Sequence, residues 1–265
     1  MNYQMILFFH LITMKKFLLI SFLLLVAWGA TAQKKDKKKK DKGSQSAVPT
    51  TLRPPQSDVA ASGNLNLQPL FGGKSRTEAQ KTQDDAFLAD CERNFSSRPE
   101  ASKFFESRAW EYLREGNVDT ATYRFNLAWL LDNKNANVYW GLSAIQAAKS
   151  KDDEALVLLD KALALEPKNS ALLTDIAALH LNKYKVKADK KSLQNSMAIL
   201  EKAIQFDSTN AAAYTKMSMA YFYQDNYDKA WEYLHKSRAF NLTGMDFAYL
   251  TELIAKKKDP QGLFK

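Results

Sequence analysis

The chain is 265 residues long, room for one or two domains, and carries a formal net charge of +9. The surplus is local. Lys15 and Lys16 supply two charges and the run KKDKKKKDK over 34–42 supplies five, so residues 43–265 carry only +2, which excludes the broad basic face of a nucleic-acid-binding body. Cys91 is the only cysteine, so no internal disulfide framework exists; it reads as a small buried apolar residue on a helix, with an intermolecular disulfide as the alternative.

Residues 14–32 read MKKFLLISFLLLVAWGATA. A basic pair, an apolar stretch from Phe17 to Trp28 and the small-x-small site Ala30-Thr31-Ala32 make a secretory signal peptide, too short for a comfortable membrane span. Residues 1–32 are therefore expected to leave on export, with Met14 as the initiator and Gln33 as the mature start. An uncleaved anchor is the alternative, because MILFFHLI adds apolar length upstream. The expected location is the periplasm or the cell exterior, in association with the envelope. No cysteine stands at the cleavage site to carry a lipid.

Residues 33–76 are basic and then rich in Ser, Pro, Gly and Thr, a composition that cannot bury enough apolar surface to order itself. Lys34, Lys35, Lys37, Lys38, Lys39, Lys40 and Lys42 could tether the chain to anionic lipid or another polyanion, or simply solvate it. The stretch NLNLQPLFGG (64–73) gathers Leu65, Leu67, Leu70 and Phe71, either to dock on the folded body or as an isolated apolar spot in a linker.

A capping box at Thr77–Gln80 opens a helix carrying Phe87, Leu88, Cys91 and Phe95, expected over 77–98 as an N-terminal cap. Pro99 suits the start of the next helix. From there every segment is amphipathic with helical period, separated by short Gly/Asn/Asp turns, and period-two alternation is absent.

The helices repeat. Ala121, Ala155, Ser196 and Ala230 stand 34, 41 and 34 residues apart, each followed four residues later by Phe125, Leu159, Leu200 or Leu234. The period is 34 with one insertion of seven. The units are 102–135, 136–169, 170–210 and 211–244. With Ala109, Tyr112, Gly116, Ala121, Phe125 and Ala128 in the first unit, the chain resembles the tetratricopeptide repeat family. The second contributes Leu142, Ser143, Ala155, Leu159, Ala162 and Pro167, the third Ile176, Ala177, Leu200 and Ala203, and the fourth Tyr214, Ser218, Tyr221, Tyr227, Ala230 and Leu234. The resemblance implies an all-α fold: a right-handed superhelical solenoid of about four helical hairpins, closed by capping helices at both ends. Residues 245–265 supply the C-terminal cap, with Phe247, Leu250 and Ile254 as its inner stripe.

The insertion falls within 180–196, between the helices of the third hairpin. Seven residues make almost two helical turns, so one turn added to each helix preserves every side chain's face. The expectation is a third hairpin that protrudes by about 5 Å, tipped by Lys183, Lys185, Lys187, Lys190 and Lys191.

No catalytic constellation is visible. His10, His180 and His235 lack metal-ligand spacing and a companion cysteine, and no phosphate-binding or nucleophile motif occurs. No enzyme activity, cofactor or metal is expected. The resemblance implies instead a protein or peptide partner laid in a groove lined by the first helix of each repeat. Carried over position by position, that groove comprises Lys103, Glu106, Trp110, Leu113 and Arg114; Asn137, Trp140, Ala144, Ala147 and Ala148; Ala171, Thr174, Ala178, Leu181 and Asn182; and Ala212, Thr215, Met219, Phe222 and Tyr223. Its middle is small and its ends aromatic. The aromatics either anchor a partner or pack against the terminal caps. The family's carboxylate-gripping subset uses Lys, Arg and Asn where Ala, Thr and aromatics stand here, so an apolar or amphipathic segment suits the groove better.

Overall fold

In a computed structural model of the chain, residues 65–241 and 246–264 are described. The expected signal peptide, the Met14 start, the lysine run and most of the Ser/Pro-rich stretch lie outside them. The described residues hold ten α-helices and no strand: α1 (Glu78–Asn94), α2 (Arg98–Arg114), α3 (Val118–Leu131), α4 (Ala136–Ala148), α5 (Asp152–Leu165), α6 (Ser170–Lys187), α7 (Lys190–Phe206), α8 (Ala211–Phe222), α9 (Tyr227–Phe240) and α10 (Phe247–Lys256). The helices from α2 to α9 pair in chain order into four hairpins.

Local chemistry places the helix starts. Thr77, Ser97, Asn117, Asn135, Asn169, Asp189, Asn210, Asn226 and Asp246 each accept a backbone N–H of the first turn. The Thr77–Gln80 capping box is present in both directions. Lys151, before α5, makes no such bond, and Asp152, Asp153 and Glu154 complement that helix dipole instead. Because Ser97 caps α2, the first hairpin begins at Arg98 and α1 stops at Asn94, a few residues from the boundaries expected from periodicity.

Small residues set the packing distance. Ala121, Ala155, Ser196 and Ala230 are all fully buried. The Ser196 hydroxyl donates to the Ala177 carbonyl at 2.9 Å, and Ser218 to that of Ala230 at 2.6 Å. Two of the three hairpin junctions lock through asparagine caps. Asn135 donates to Ser102 Oγ at 3.0 Å, and Asn210 to Ser170 Oγ at 2.7 Å and Thr174 Oγ1 at 3.0 Å. Ser102 and Ser170 in turn donate to the carbonyls of Ala128 and Ala203. Gly141, in α4, lies so close to the Phe125 ring that an added Cβ would sit 2.0 Å from it.

The third hairpin lengthens as expected. α6 has 18 residues and α7 has 17, against 13 and 14 for α4 and α5. The connecting turn shortens to Ala188 and Asp189, with Ala188 left-handed at φ 54°. The inserted seven residues are all accounted for: five on α6, three on α7, and one fewer in the turn.

Two ends differ from expectation. Residues 65–76 belong to the folded body. Pro69–Gly73 forms a turn with left-handed residues at Leu70, Phe71 and Gly72, seated on α3. Asn126, fully buried, accepts the Leu70 N–H and donates to the carbonyls of Asn66 and Gln68, each at 2.8 Å. Phe71 buries its ring against Trp129 and under the Arg76 guanidinium, which pairs with Asp84. At the other end, α10 is turned from the expected stripe. Tyr249, Leu250 and Leu253 are buried, Ile254 is half-buried, and Phe247 is 70% exposed. The Tyr249 hydroxyl, bonded to Ser218 Oγ at 2.6 Å, and its ring against Phe222 set this rotation. The tail then folds back. Buried Asp259 accepts from the backbone of Gln261, Leu263 and Phe264 and meets His235 Nε2 at 2.8 Å, while Phe264 stacks on Trp231 and His235.

Gly141→Ala is expected to destabilise by about 2 kcal/mol, because the Phe125 ring cannot retreat from a packed core; the urea midpoint reads it. Asn126→Ala removes three hydrogen bonds to the backbone of residues 66–70 and should cost about 2 kcal/mol, with protease cleavage appearing first within 65–76.

Candidate partner-binding groove

The first helices of the hairpins, α2, α4, α6 and α8, approach one another: α2 packs on α4 and α6 on α8. Along this face the structure places a row of polar and ionisable groups. Glu106 on α2 is buried; burial raises its pKa, while the Trp110 and Asn137 side chains and Lys103 pull it down. Trp140 on α4 donates its indole N–H to Asp175 Oδ2 on α6 at 2.7 Å. Burial pushes the Asp175 carboxyl up to about 7, against the Trp140 hydrogen bond and the Lys216 charge. Lys216 on α8 is held below the ordinary lysine range by burial, opposed by Asp246 and Asp175. Asp246 caps α10. The row thus crosses all four hairpins and reaches the C-terminal cap.

Asp175 and Lys216 were not among the expected groove positions; each lies one residue beyond an expected threonine. Thr174 is buried, donating to the Ser170 carbonyl and accepting from Asn210. Thr215 is buried against Ser237 Oγ at 2.7 Å and the Ala211 carbonyl. Both hydroxyls serve hairpin packing. In the sequence these two stand out as a lone acid inside the apolar run ALLTDIAALHL and a lone lysine inside AAAYTKMSMA.

The expected aromatic anchors are mostly packed. Trp110 and Trp140 are both 8% exposed, and Trp110 sits edge-on to Phe125. Phe222 is half-buried against Tyr223, Tyr227 and the capping Tyr249. Tyr223 lies beside Tyr184, whose hydroxyl donates to its carbonyl. Met219 is half-buried near Lys216 Nζ, at 3.8 Å. Asn137 is half-buried on the groove face. Arg114 is exposed at the end of α2, and Asn182, also exposed, donates to Asp152 Oδ2 at 2.6 Å. Leu113, Ala144 and Leu181 are core, whereas Ala147, Ala148, Ala171, Ala178 and Ala212 keep accessible surface.

Cys91 is buried, and desolvation, then Asp90 and Glu92, push its thiol up to about 11. His235 packs in the C-terminal clasp, and His180 is half-buried with its pKa lowered by desolvation. Among the described residues no group of His, Cys, Asp or Glu could hold a metal ion, and no helix is long and apolar enough to cross a membrane.

Four stacked hairpins, with small residues at every crossing and a continuous first-helix face, define a helical-repeat solenoid, and its fold is that of the tetratricopeptide repeat. No protein-family model matches the chain, and no curated protein matches it. Solved structures do. PilF of Pseudomonas aeruginosa is 20% identical over 61% of this chain and 71% of its own, with a TM-score of 0.52. The thermophilic tetratricopeptide protein TTC0263 of Thermus thermophilus is 16% identical over 58% and 87%, with a TM-score of 0.51.

A carboxyl with a raised folded-state pKa contributes stability that is complete below its unfolded pKa, near 4, and is lost as pH rises through 7. Asp175→Asn keeps the acceptor for Trp140 without the titration. Its stability relative to the parent is expected to rise between pH 4 and pH 8 by on the order of 2 kcal/mol, measured by urea unfolding at both ends.

Proposed function

We infer that the protein is a non-enzymatic interaction scaffold that holds a segment of a partner protein along its first-helix face. The observation that carries this reading is the row Glu106, Asn137, Asp175 and Lys216. Two carboxyls and an amine are kept at a desolvation cost on a face lined by accessible alanines. Packing alone does not call for ionisable groups there, and perturbed groups gathered on an accessible face mark sites of function. The alanines leave room for a partner backbone; Asp175 and Lys216 offer it an acceptor and a donor. Phe222, Tyr223 and Met219 add an apolar end to the face, which suits an amphipathic segment. An exported, envelope-associated location is part of this reading, supported by the signal-like residues 14–32.

The test is site-specific photocrosslinking in cells. A crosslinker at Ala178 or Ala212 should trap a discrete partner band, and one at Lys161, on the outer side of α5, should not. Asp175→Ala combined with Lys216→Ala should cut the band at least about tenfold, with helicity unchanged by circular dichroism. Equal crosslinking from Lys161, or a band unaffected by the double substitution, overturns the reading.

A further inference from the structure

The tip of the third hairpin lies beyond the row Glu106, Asn137, Asp175 and Lys216. α6 and α7 both outrun the helices of the second and fourth hairpins, so the turn at Ala188-Asp189 stands proud of its neighbours by about one helical turn. Its base is held on two sides. Towards the second hairpin, Lys183 pairs with Asp153 at 2.8 Å and Asn182 bonds Asp152. Towards the fourth, Tyr184 lies against Tyr223 and donates to its carbonyl. The projection is therefore fixed to the body.

Beyond that base, Lys185, Lys187, Lys190 and Lys191 are all exposed, and none has an ion-pair partner among the described residues. The one acid at the apex, Asp189, is engaged: it caps α7, accepting from the Lys191 N–H and the Ser192 hydroxyl. Amid the lysines stands Val186, 70% exposed, which no described residue covers.

We propose that this tip docks on an anionic phospholipid surface, its four lysines over the headgroups and Val186 in the interfacial layer. The chemistry favours a bilayer over other polyanions. The tip has no arginine for bidentate phosphate or base contacts, and its tyrosine is engaged at the base, so the features of nucleic-acid readout are missing. It is a convex point rather than a groove, and lysines on flexible stems suit a laterally mobile charged plane. A single apolar side chain ringed by ammonium groups matches the boundary between headgroup and acyl chain.

The test uses the full chain with the seven lysines of 34–42 changed to Gln, so that the N-terminal run does not mask the tip. It is mixed with vesicles of phosphatidylcholine alone or with added phosphatidylglycerol. Binding is expected only to the anionic vesicles and to weaken as salt rises. Lys185→Gln, Lys187→Gln, Lys190→Gln and Lys191→Gln together should reduce it at least about tenfold, with circular dichroism confirming the fold. Val186→Cys carrying an environment-sensitive dye should brighten on anionic vesicles. Binding unchanged by the four substitutions, or a dye that stays in water, overturns the proposal. So does retention by a DNA duplex or an acidic protein without vesicle binding, or full displacement by inorganic phosphate, which marks a free-anion site. The groove reading is tested apart from this, by the partner crosslinks at Ala178 and Ala212.

Discussion

No hairpin of this chain can bury its own apolar face, so everything rests on how one hairpin is held against the next. Two junctions share a device. The asparagine that caps the incoming first helix reaches back to a serine of the preceding hairpin: Asn135 to Ser102, and Asn210 to Ser170. One side chain thereby satisfies a helix N-terminus with its oxygen and joins two repeats with its nitrogen. At the middle junction the device is absent. Alanine stands at 136, one repeat after Ser102, and Asn169 turns its amide to Glu166 instead. There the link passes to Trp140 and Asp175, and to Lys183 and Asn182 on the acids that open α5.

That substitution joins architecture to the candidate site. The Trp140–Asp175 bond is at once the bridge between the middle hairpins and the centre of the ionisable row. Burial raises the pKa of its carboxyl to about 7 against the pull of the Trp140 hydrogen bond. An uncharged bridge would hold the hairpins as well without the desolvation cost. A group that bears that cost on an accessible face is available to a partner, and this connects the packing of the middle junction to the proposed scaffold function.

The ends of the solenoid are closed in different ways. At the N-terminal end a left-handed turn is held on α3 by a buried asparagine, and only then does the capping helix α1 begin. At the C-terminal end α10 is followed by a tail that Asp259 gathers and Phe264 stacks onto Trp231. Both closures hide apolar surface that a further repeat would have covered. The second explains why the C-terminal end of the groove is less open than an endless array would make it: Phe222 meets Tyr249 of the cap rather than solvent.

The sequence by itself determined the period, the hairpin boundaries to within a few residues, the capping box at Thr77 and the helical nature of the seven-residue insertion. These follow from local rules: a cap needs a particular oxygen, a helix face repeats every 3.6 residues, and a close approach needs alanine or serine. Tertiary structure decided what one helix does to another. It joined Asp175 to Trp140 across the first helices and put the neighbouring threonines in the packing. It rotated α10 so that Phe247 lies outside, and it recruited residues 65–76 to the body through Asn126. Each of these turns on a single residue's rotation or on a contact between distant segments. Periodicity averages over rotations that small, and a bond between Asn126 and Leu70 leaves no mark on the local pattern of either.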